Sequence, residues 1–312
     1  MERNKKRLDY LDVFKGILII FVVYQHVFWL VGNNVPLQTD NIYSRLSDFS
    51  KYVFLPYYMP AFFIVTGFCS SFEGDFASFL KKNVLTILWP SLALGFGVEW
   101  FIAAMFGGKI VYWAVNHFIK VEWQRILLLL IFGFIGVLLA YMGFSVRFWY
   151  IPHILIMSFY LCVGAVLKRF EHKKLIYMLA SVFFISSILV CFLFHYRIPF
   201  VVSNIYVTPL DYPLNVLLSI SGTLMLWGSC KLIKKNKLLE FFGRNSLVIY
   251  LVHISILSFI IPYISVYIGR FQTSWMSVAL VCAGLLIVAL LLSSIMAKVL
   301  NTKYLKWVVG KF

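Results

Sequence analysis

The first apolar segment of the chain holds one ionisable side chain deep within it. His26 lies in the stretch VYQHVFWL, and no other group in residues 17–32 ionises at neutral pH. Lys15 precedes it by eleven positions, a spacing that in an α-helix returns to within about 20° of the same face about 16 Å away along the axis. A buried neutral imidazole can take up a proton, and a lysine near a membrane surface can hold an anion. The alternative is a histidine that hydrogen-bonds a neighbouring helix and a lysine that snorkels.

The other candidate residues are spread along the chain. Glu99 is the one acidic residue well inside a long apolar run, so we expect it either to orient a histidine or to form a structural ion pair with a lysine. Lys81 and Lys82 form a basic pair just before another apolar run. His253 either lines the same site as His26 or fixes its own helix through a hydrogen bond.

The composition is that of an integral membrane protein. Of the 312 residues, 62% are hydrophobic and only 13% are charged, with a mean hydropathy of +0.89, whereas soluble domains are roughly 45–50% apolar. Uncharged runs of about 20 residues can each cross a bilayer as a helix. They are residues 16–32, 52–72, 126–146, 148–167, 175–194, 212–230, 245–269 and 271–297, with a ninth at 83–106 that only Glu99 interrupts. Because the runs are continuous and do not alternate, we predict an all-α, polytopic transmembrane helical bundle and one membrane-embedded domain over 1–312.

The net charge of +16 is concentrated in short loops between the apolar runs. This positive-inside pattern predicts that both termini are cytoplasmic and that the longer loops 33–51 and 195–211 face outward. The same distribution argues against nucleic acid as a partner. Asp12, one helical turn before Lys15, is predicted to be a local charge partner.

Nine crossings cannot leave both termini on one side of a membrane. An even number must lie between the basic pairs near residues 82 and 168, where only three long runs are seen. The best candidate for the hidden crossing is KIVYWAVNHFIK, residues 109–120, as a short helix buried by its neighbours. We therefore predict about ten helices, with eight and a re-entrant segment as the alternative.

The five cysteines are odd in number and lie within or at the end of apolar runs. Their spacing predicts neither a disulfide framework nor a zinc site, and we expect no metal. The basic N-terminus is followed by charged residues and by no small-residue cleavage site, so no cleavable signal peptide is predicted.

Four segments together resemble the acyltransferase 3 family of polytopic membrane O-acyltransferases. The first is Lys15 followed by His26, and the second is the aromatic stretch YYMPAFFIVTGF at residues 57–68. The third is the basic pair at 81–82, and the fourth is GRNSLVIYLVH at residues 243–253. The four occur in the family's order and span most of the chain.

The resemblance implies an integral membrane enzyme that moves an acyl group, with a preference for acetyl, from cytoplasmic acyl-CoA to a hydroxyl of an extracytoplasmic or lipid-linked polysaccharide. Acetyl-CoA would be the donor co-substrate, with its phosphates held by Lys15, Lys81 and Lys82. His26 would be the general base or a transient acyl acceptor. Further expected partners are membrane lipid, a glycan or lipid-linked sugar acceptor and the polysaccharide synthesis machinery. The expected location is the cell membrane, as a multi-pass protein of a bacterial inner membrane.

Two other classes remain open at this point. A polysaccharide exporter or flippase would use Glu99, Lys15 and His26 to relay protons or bind substrate. A non-catalytic partner of a glycan synthase would leave His26 freely replaceable. His153 and Arg147, near the predicted outer end of their helix, either contact an acceptor sugar or belong to an interfacial aromatic belt.

Overall fold

The computed structural model describes residues 8–35, 42–144, 149–233, 235–270 and 274–311. Nearly all regular structure within these ranges is helical. The elements are α1 (Asp9–Asn34), α2 (Ile42–Val53), α3 (Tyr58–Cys69), α4 (Phe76–Asn83), a π-helical turn (Val84–Leu88), α5 (Trp89–Ala93), α6 (Trp100–Phe118), α7 (Glu122–Tyr141), α8 (Ile151–Leu167), α9 (Lys174–Leu193), β1 (Phe200–Val201), β2 (Ile205–Tyr206), α10 (Tyr212–Leu232), α11 (Lys237–Arg244), α12 (Ser246–Arg270) and α13 (Trp275–Leu300).

The predicted helical class is confirmed. Seven helices in the described ranges are long and apolar enough to cross a membrane, with α2 and α3 counted together as Ile42–Cys69. The 17 residues of α8 form a shorter apolar helix. The number of about ten crossings and the side on which the termini lie stay predictions.

The apolar run at 83–106 is not one helix, and in this respect the sequence-based expectation was wrong. The chain turns after α5, where Gly95 and Gly97 adopt φ values of +78° and +68° that side chains with a Cβ rarely adopt. A new helix, α6, begins at Trp100 and ends at Phe118, so most of the short segment expected at 109–120 belongs to α6 and is not a separate helix. Glu99 therefore lies in the loop immediately before α6 and not within a helix.

The π-helical turn between α4 and α5 has a local cause. Pro90 has no N–H to donate, and its ring crowds the backbone of the preceding turn. The backbone widens just before it, so that the N–H of Trp89 bonds to the carbonyl of Val84, five residues back. The indole of Trp89 donates to the backbone oxygen of Trp307 at 2.9 Å, which fixes the segment after α13 against this turn.

The described residues group into two compact units. The first comprises Met1–Ser47 and Met225–Ala297, and the second comprises Asp48–Leu224 and Lys298–Phe312. Within the first unit α1 packs against α11 and α12, and within the second α8 packs against α3, α6 and α7.

Helices in both units approach each other closely where a glycine removes the side chain. A Cβ on Gly243 of α11 would lie 1.8 Å from the backbone oxygen of Asp12 in α1. Gly16 of α1 meets the backbone of α11 equally closely, at 2.1 Å. The second unit repeats this arrangement between α3 and α8 at Gly67 and Gly164. Such contacts are common where helices pack in a membrane, because small residues allow the two backbones to touch.

The loop before α10 contains a small antiparallel hairpin, in which β1 pairs with β2. Asp211 holds the end of this loop, since its carboxylate accepts hydrogen bonds from the hydroxyls of Tyr196 and, at 2.6 Å, of Thr208. Partial burial raises the pKa of Asp211, but these hydrogen bonds outweigh it and keep the pKa below its usual value. The loop that the sequence predicts to face outward is thus an ordered element.

Candidate active site

Two histidines that lie far apart in the chain meet in the first unit. His26 comes from α1 and His253 from α12. Their ring centroids are 4.8 Å apart, and Nε2 of His253 lies 3.1 Å from Nδ1 of His26. His253 is fully buried, while His26 is half-buried. The histidine pair, as we call these two residues, is the one constellation of predicted site residues that the structure brings into direct contact in this unit.

Neighbouring carbonyl groups decide which nitrogen of each ring carries the proton. Nδ1 of His26 lies 2.8 Å from the backbone oxygen of Val22, and Nδ1 of His253 lies 2.9 Å from that of Ile249. A carbonyl oxygen only accepts, so both Nδ1 atoms donate. Nε2 of His253 then bears a lone pair and accepts from the Nδ1–H of His26. The assignment leaves the lone pair of His26 on Nε2, to which no described residue donates a hydrogen bond.

This arrangement would allow His26 to act as a base. A proton taken up at Nε2 makes His26 an imidazolium, whose Nδ1–H is shared between Val22 and His253. An oriented base whose far nitrogen is held by a second group is the general pattern of activated nucleophile sites. The ring of Trp29, a residue that is 53% exposed, lies edge-to-face with that of His26, with the ring centroids 6.0 Å apart. Within the described ranges no group of three or more His, Cys, Asp or Glu is placed to hold a metal ion.

A second polar cluster of the first unit lies between α1 and α11. Lys15 lies 2.9 Å from Asp12, whose other oxygen lies 3.2 Å from Nε of Arg244. Arg244 also meets Glu240 at 2.9 Å. Both carboxylates are nearly completely buried, and burial of a charge is tolerated only with such partners. The prediction that Asp12 pairs with Lys15 is confirmed. Lys15 is 25% exposed, which leaves part of its side chain open to a ligand. The contact of this lysine with a donor phosphate stays a prediction.

The part that Arg244 and Glu240 play in this cluster is not predicted by the sequence analysis, in which Arg244 belongs only to the motif at 243–253. The available signal was a glutamate four residues before an arginine on a short amphipathic helix, the spacing of a stabilising i,i+4 pair. What the spacing does not contain is the third partner, Asp12, which is 232 residues away in the chain.

The basic pair lies in the second unit, at the last turn of α4. Lys81 and Lys82 are exposed, and neither side chain forms an ion pair with a residue that the structure describes. The helix begins at Asp75, whose carboxylate accepts the backbone N–H of Ser78 at 2.9 Å. That bond lowers the pKa of Asp75. Cations at a helix C-terminus and an anion at its N-terminus both favour the helix dipole.

Glu99 also belongs to the second unit, where it is half-buried, and its role stays a prediction. The ring of Trp100, next in the chain, lies 5.2 Å from that of His153. His153 is fully buried, and its Nε2 lies 3.0 Å from the backbone oxygen of Val202, to which it donates. Its Nδ1 has no hydrogen-bond partner in the part of the chain that the structure describes. Arg147, the other residue expected near an acceptor, lies outside the described residues.

Seven apolar helices of spanning length define a multi-pass membrane protein, and the histidine pair with one half-buried ring is its candidate site. A protein-family model described as an acyltransferase domain matches residues 85–294, well over half of the chain. The chain therefore belongs to this family, the acyltransferase 3 family that its motifs resemble. No curated protein and no solved structure matches it. The matched segment contains Glu99 and His253 and begins after Lys82.

Proposed function

We propose that the protein is a membrane O-acyltransferase that moves an acyl group, with acetyl preferred, from cytoplasmic acyl-CoA to a hydroxyl of an extracytoplasmic or lipid-linked polysaccharide. Membership in the family supplies acyl transfer in a membrane. The hydrogen bond from His26 to His253 is the observation that carries the proposal, because it leaves the lone pair of His26 on Nε2. A hydroxyl nucleophile needs such a base, since it attacks poorly while it keeps its proton.

The proposed step uses His26 twice. Nε2 removes the proton of the acceptor hydroxyl while the hydroxyl oxygen forms a bond to the thioester carbonyl carbon. The carbon–sulfur bond then breaks, and the sulfur of CoA leaves with the proton that His26 returns. The products are an ester on the acceptor and free CoA, and the imidazole is regenerated. His253 positions the base and shares the positive charge of its protonated form.

Donor binding is assigned to the basic residues. Lys81 and Lys82 are exposed at the end of α4 and carry no counter-ion among the described residues, which leaves their ammonium groups to meet the phosphates of CoA as point charges. Lys15 would add a weaker contact, because Asp12 already holds it. Under the positive-inside assignment these basic residues face the cytoplasm, so the phosphates of CoA would bind on that side. No metal has a part in the proposed step.

The test is a pair of substitutions at His26 that separate base chemistry from packing. In His26→Asn the side-chain amide reproduces the Nδ1–H donor toward Val22 and His253 but offers no base at the position of Nε2. In His26→Gln an amide reaches the Nε2 position, again without basicity. We expect both variants to insert into the membrane and to transfer acetyl from acetyl-CoA about 10²–10⁴-fold more slowly than the wild type, the usual contribution of a general base.

The matched control is His172→Gln, which makes the same change at an exposed residue of the loop after α8. It should keep full activity. If His26→Asn or His26→Gln acylates glycan at the wild-type rate, His26 only packs and the base mechanism is rejected. The readout is mass analysis of acetylated acceptor glycan, normalised to the amount of folded protein in the membrane.

A further inference from the structure

Lys109 lies in the middle of α6, among apolar and aromatic residues. Its side chain is half-buried and forms neither a hydrogen bond nor an ion pair with any residue that the structure describes. A charged group inside an apolar helix is costly, and such a residue normally pairs with another group or marks a functional site. Lys109 therefore differs from Lys15, which has its carboxylate close by.

The aromatic residues around α4 set how this segment lies on α6. The ring of Phe72, just before α4, lies 4.5 Å from that of Tyr112, and the backbone oxygen of Phe72 accepts from Asn116 at 3.3 Å. Further along, Phe79 stacks on Trp113 at 6.1 Å. The π-helical turn that continues α4 also packs against α6, and the chain turns back after α5, so α4 and α6 run antiparallel.

This register brings Lys82 and Lys109 to the same place. Lys82 follows Phe79 by three residues, and Lys109 precedes Trp113 by four, so each lies about one turn beyond the stacked rings in the same direction. At this position Lys109 is penalised first by burial and then by the nearby positive charge of Lys82. Two ammonium groups are therefore held near each other in the second unit, and neither forms an ion pair with a carboxylate that the structure describes.

Two neighbouring cations repel each other, and an anion bound between them turns this repulsion into attraction. A phosphate group carries enough negative charge to meet both, and lysine is a common phosphate ligand. The π-helical turn that directly follows α4 fits such a role, because π-helical turns occur frequently at functional sites.

We propose that Lys82 and Lys109 together bind the diphosphate of the acyl-CoA donor, and this inference rests on the proposed function. Lys109 precedes the end of α6 at Phe118 by nine residues, about 14 Å along the helix axis. A site at that depth suits the charged group of CoA that joins directly to the pantetheine arm and hence to the thioester. The diphosphate is that group, whereas the 3′-phosphate is carried on the ribose beyond it.

The first experiment replaces Lys109 in the full-length protein. Lys109→Met removes the charge, keeps an unbranched side chain of similar length and should insert normally. We expect its KM for acetyl-CoA to rise about tenfold or more, the loss of a charged hydrogen bond, with kcat little changed. Lys109→Arg keeps the cation and should stay close to the wild type. An equal KM for acetyl-CoA in Lys109→Met and the wild type overturns the inference while the proposed function stands.

Shortened donors test which phosphate is bound. Acetyl-dephospho-CoA keeps the diphosphate, so the ratio of KM between Lys109→Met and the wild type should be the same as with acetyl-CoA. Acetyl-pantetheine has no phosphate, so this ratio should fall to one. If this ratio already falls to one with acetyl-dephospho-CoA, Lys109 contacts the 3′-phosphate, and the diphosphate site is overturned. If the wild type transfers no acetyl from acetyl-CoA, the proposed function itself has failed.

A lipid headgroup carries the same phosphate chemistry and must be distinguished. The assays are therefore run in nanodiscs of phosphatidylcholine with and without phosphatidylglycerol. An effect of Lys109→Met that persists with acetyl-pantetheine and requires the anionic lipid assigns the site to lipid and overturns the inference. Lys120→Met makes the same charge change at an exposed residue just beyond α6 and should leave KM unchanged. An equal rise in KM for Lys120→Met would show that the loss of any positive charge in this region weakens donor binding, and it also overturns the inference.

Discussion

The two nitrogens of His26 have different tasks because one of them faces a backbone carbonyl. The contact of Nδ1 with Val22 joins atoms four residues apart in α1, so it forms as soon as the helix does. The contact with His253 joins two helices and holds the ring in one orientation. A base with a fixed orientation loses less entropy when its substrate arrives, which is how positioned groups contribute to catalysis.

Removing the acceptor behind His26 should slow the acyl transfer. His253→Leu leaves the Nδ1–H of His26 with Val22 alone, so the imidazolium formed during the reaction loses one charge-assisted hydrogen bond, worth about 1.5–3 kcal/mol. We expect kcat to fall about 10-fold to 100-fold with little change in the KM for acetyl-CoA. His253→Gln can present its amide oxygen at the position of Nε2 and should recover much of the rate. Steady-state kinetics of the purified variants decide between this and a purely structural histidine, for which leucine and glutamine would not differ.

At the scale of the elements, the crossing of α1 and α11 depends on two glycines. Because Gly16 and Gly243 have no side chain, the two backbones touch, and Arg244, the next residue, can reach both Asp12 and Glu240. The position of α11 is thus set by backbone contact first and by the ion pairs second.

An added methyl group at this crossing should destabilise the protein. In Gly243→Ala the new Cβ would lie 1.8 Å from the oxygen of Asp12, so the helices must separate and the ion pairs must lengthen. We expect a loss of about 1–3 kcal/mol, typical of overpacking, seen as a lower Tm in detergent. Gly284→Ala is the matched control, because the Cβ at this position in α13 would meet nothing within 4 Å. A Gly243→Ala protein as stable as this control would contradict the close approach.

At the scale of the whole molecule, contacts in the second unit agree with the loops that the charge pattern places inside. Lys168 donates to the backbone oxygen of Ser70 at 2.8 Å, and Arg169 lies 2.8 Å from Glu122. The ends of α3, α7 and α8 that these residues mark therefore lie on one side of this unit. The same side is predicted to be cytoplasmic.

Cysteine labelling tests this orientation. Cys69 is the exposed one of the five free cysteines, so Cys69→Ser provides the background. In intact cells Ser203→Cys, in the bend between β1 and β2, should react with an impermeant maleimide. Lys235→Cys, in the basic segment before α11, should react only after the membrane is permeabilised, and both positions are exposed. The reverse result would invert the topology and would put the basic residues on the wrong side for acyl-CoA.

Local patterns were enough to predict the membrane class and most helices, because hydropathy and charge act on each segment separately. Each of the eight uninterrupted apolar runs overlaps a described helix. The run at 83–106 is not one helix because a count of apolar residues does not register that the glycines at 95 and 97 turn the chain. Lys15, His26 and His253 were identified as candidates since ionisable groups are costly in apolar segments.

What the sequence by itself determined about this protein is its class, its helical segments and a short list of ionisable residues. Only the tertiary structure decided how those residues combine. The bond between His26 and His253 joins positions 227 residues apart, and the register of α4 on α6 brings Lys82 to Lys109. Such meetings depend on which helix faces pack together and at what height. That is set by close backbone approach and ring stacking between distant segments, which no local periodicity records.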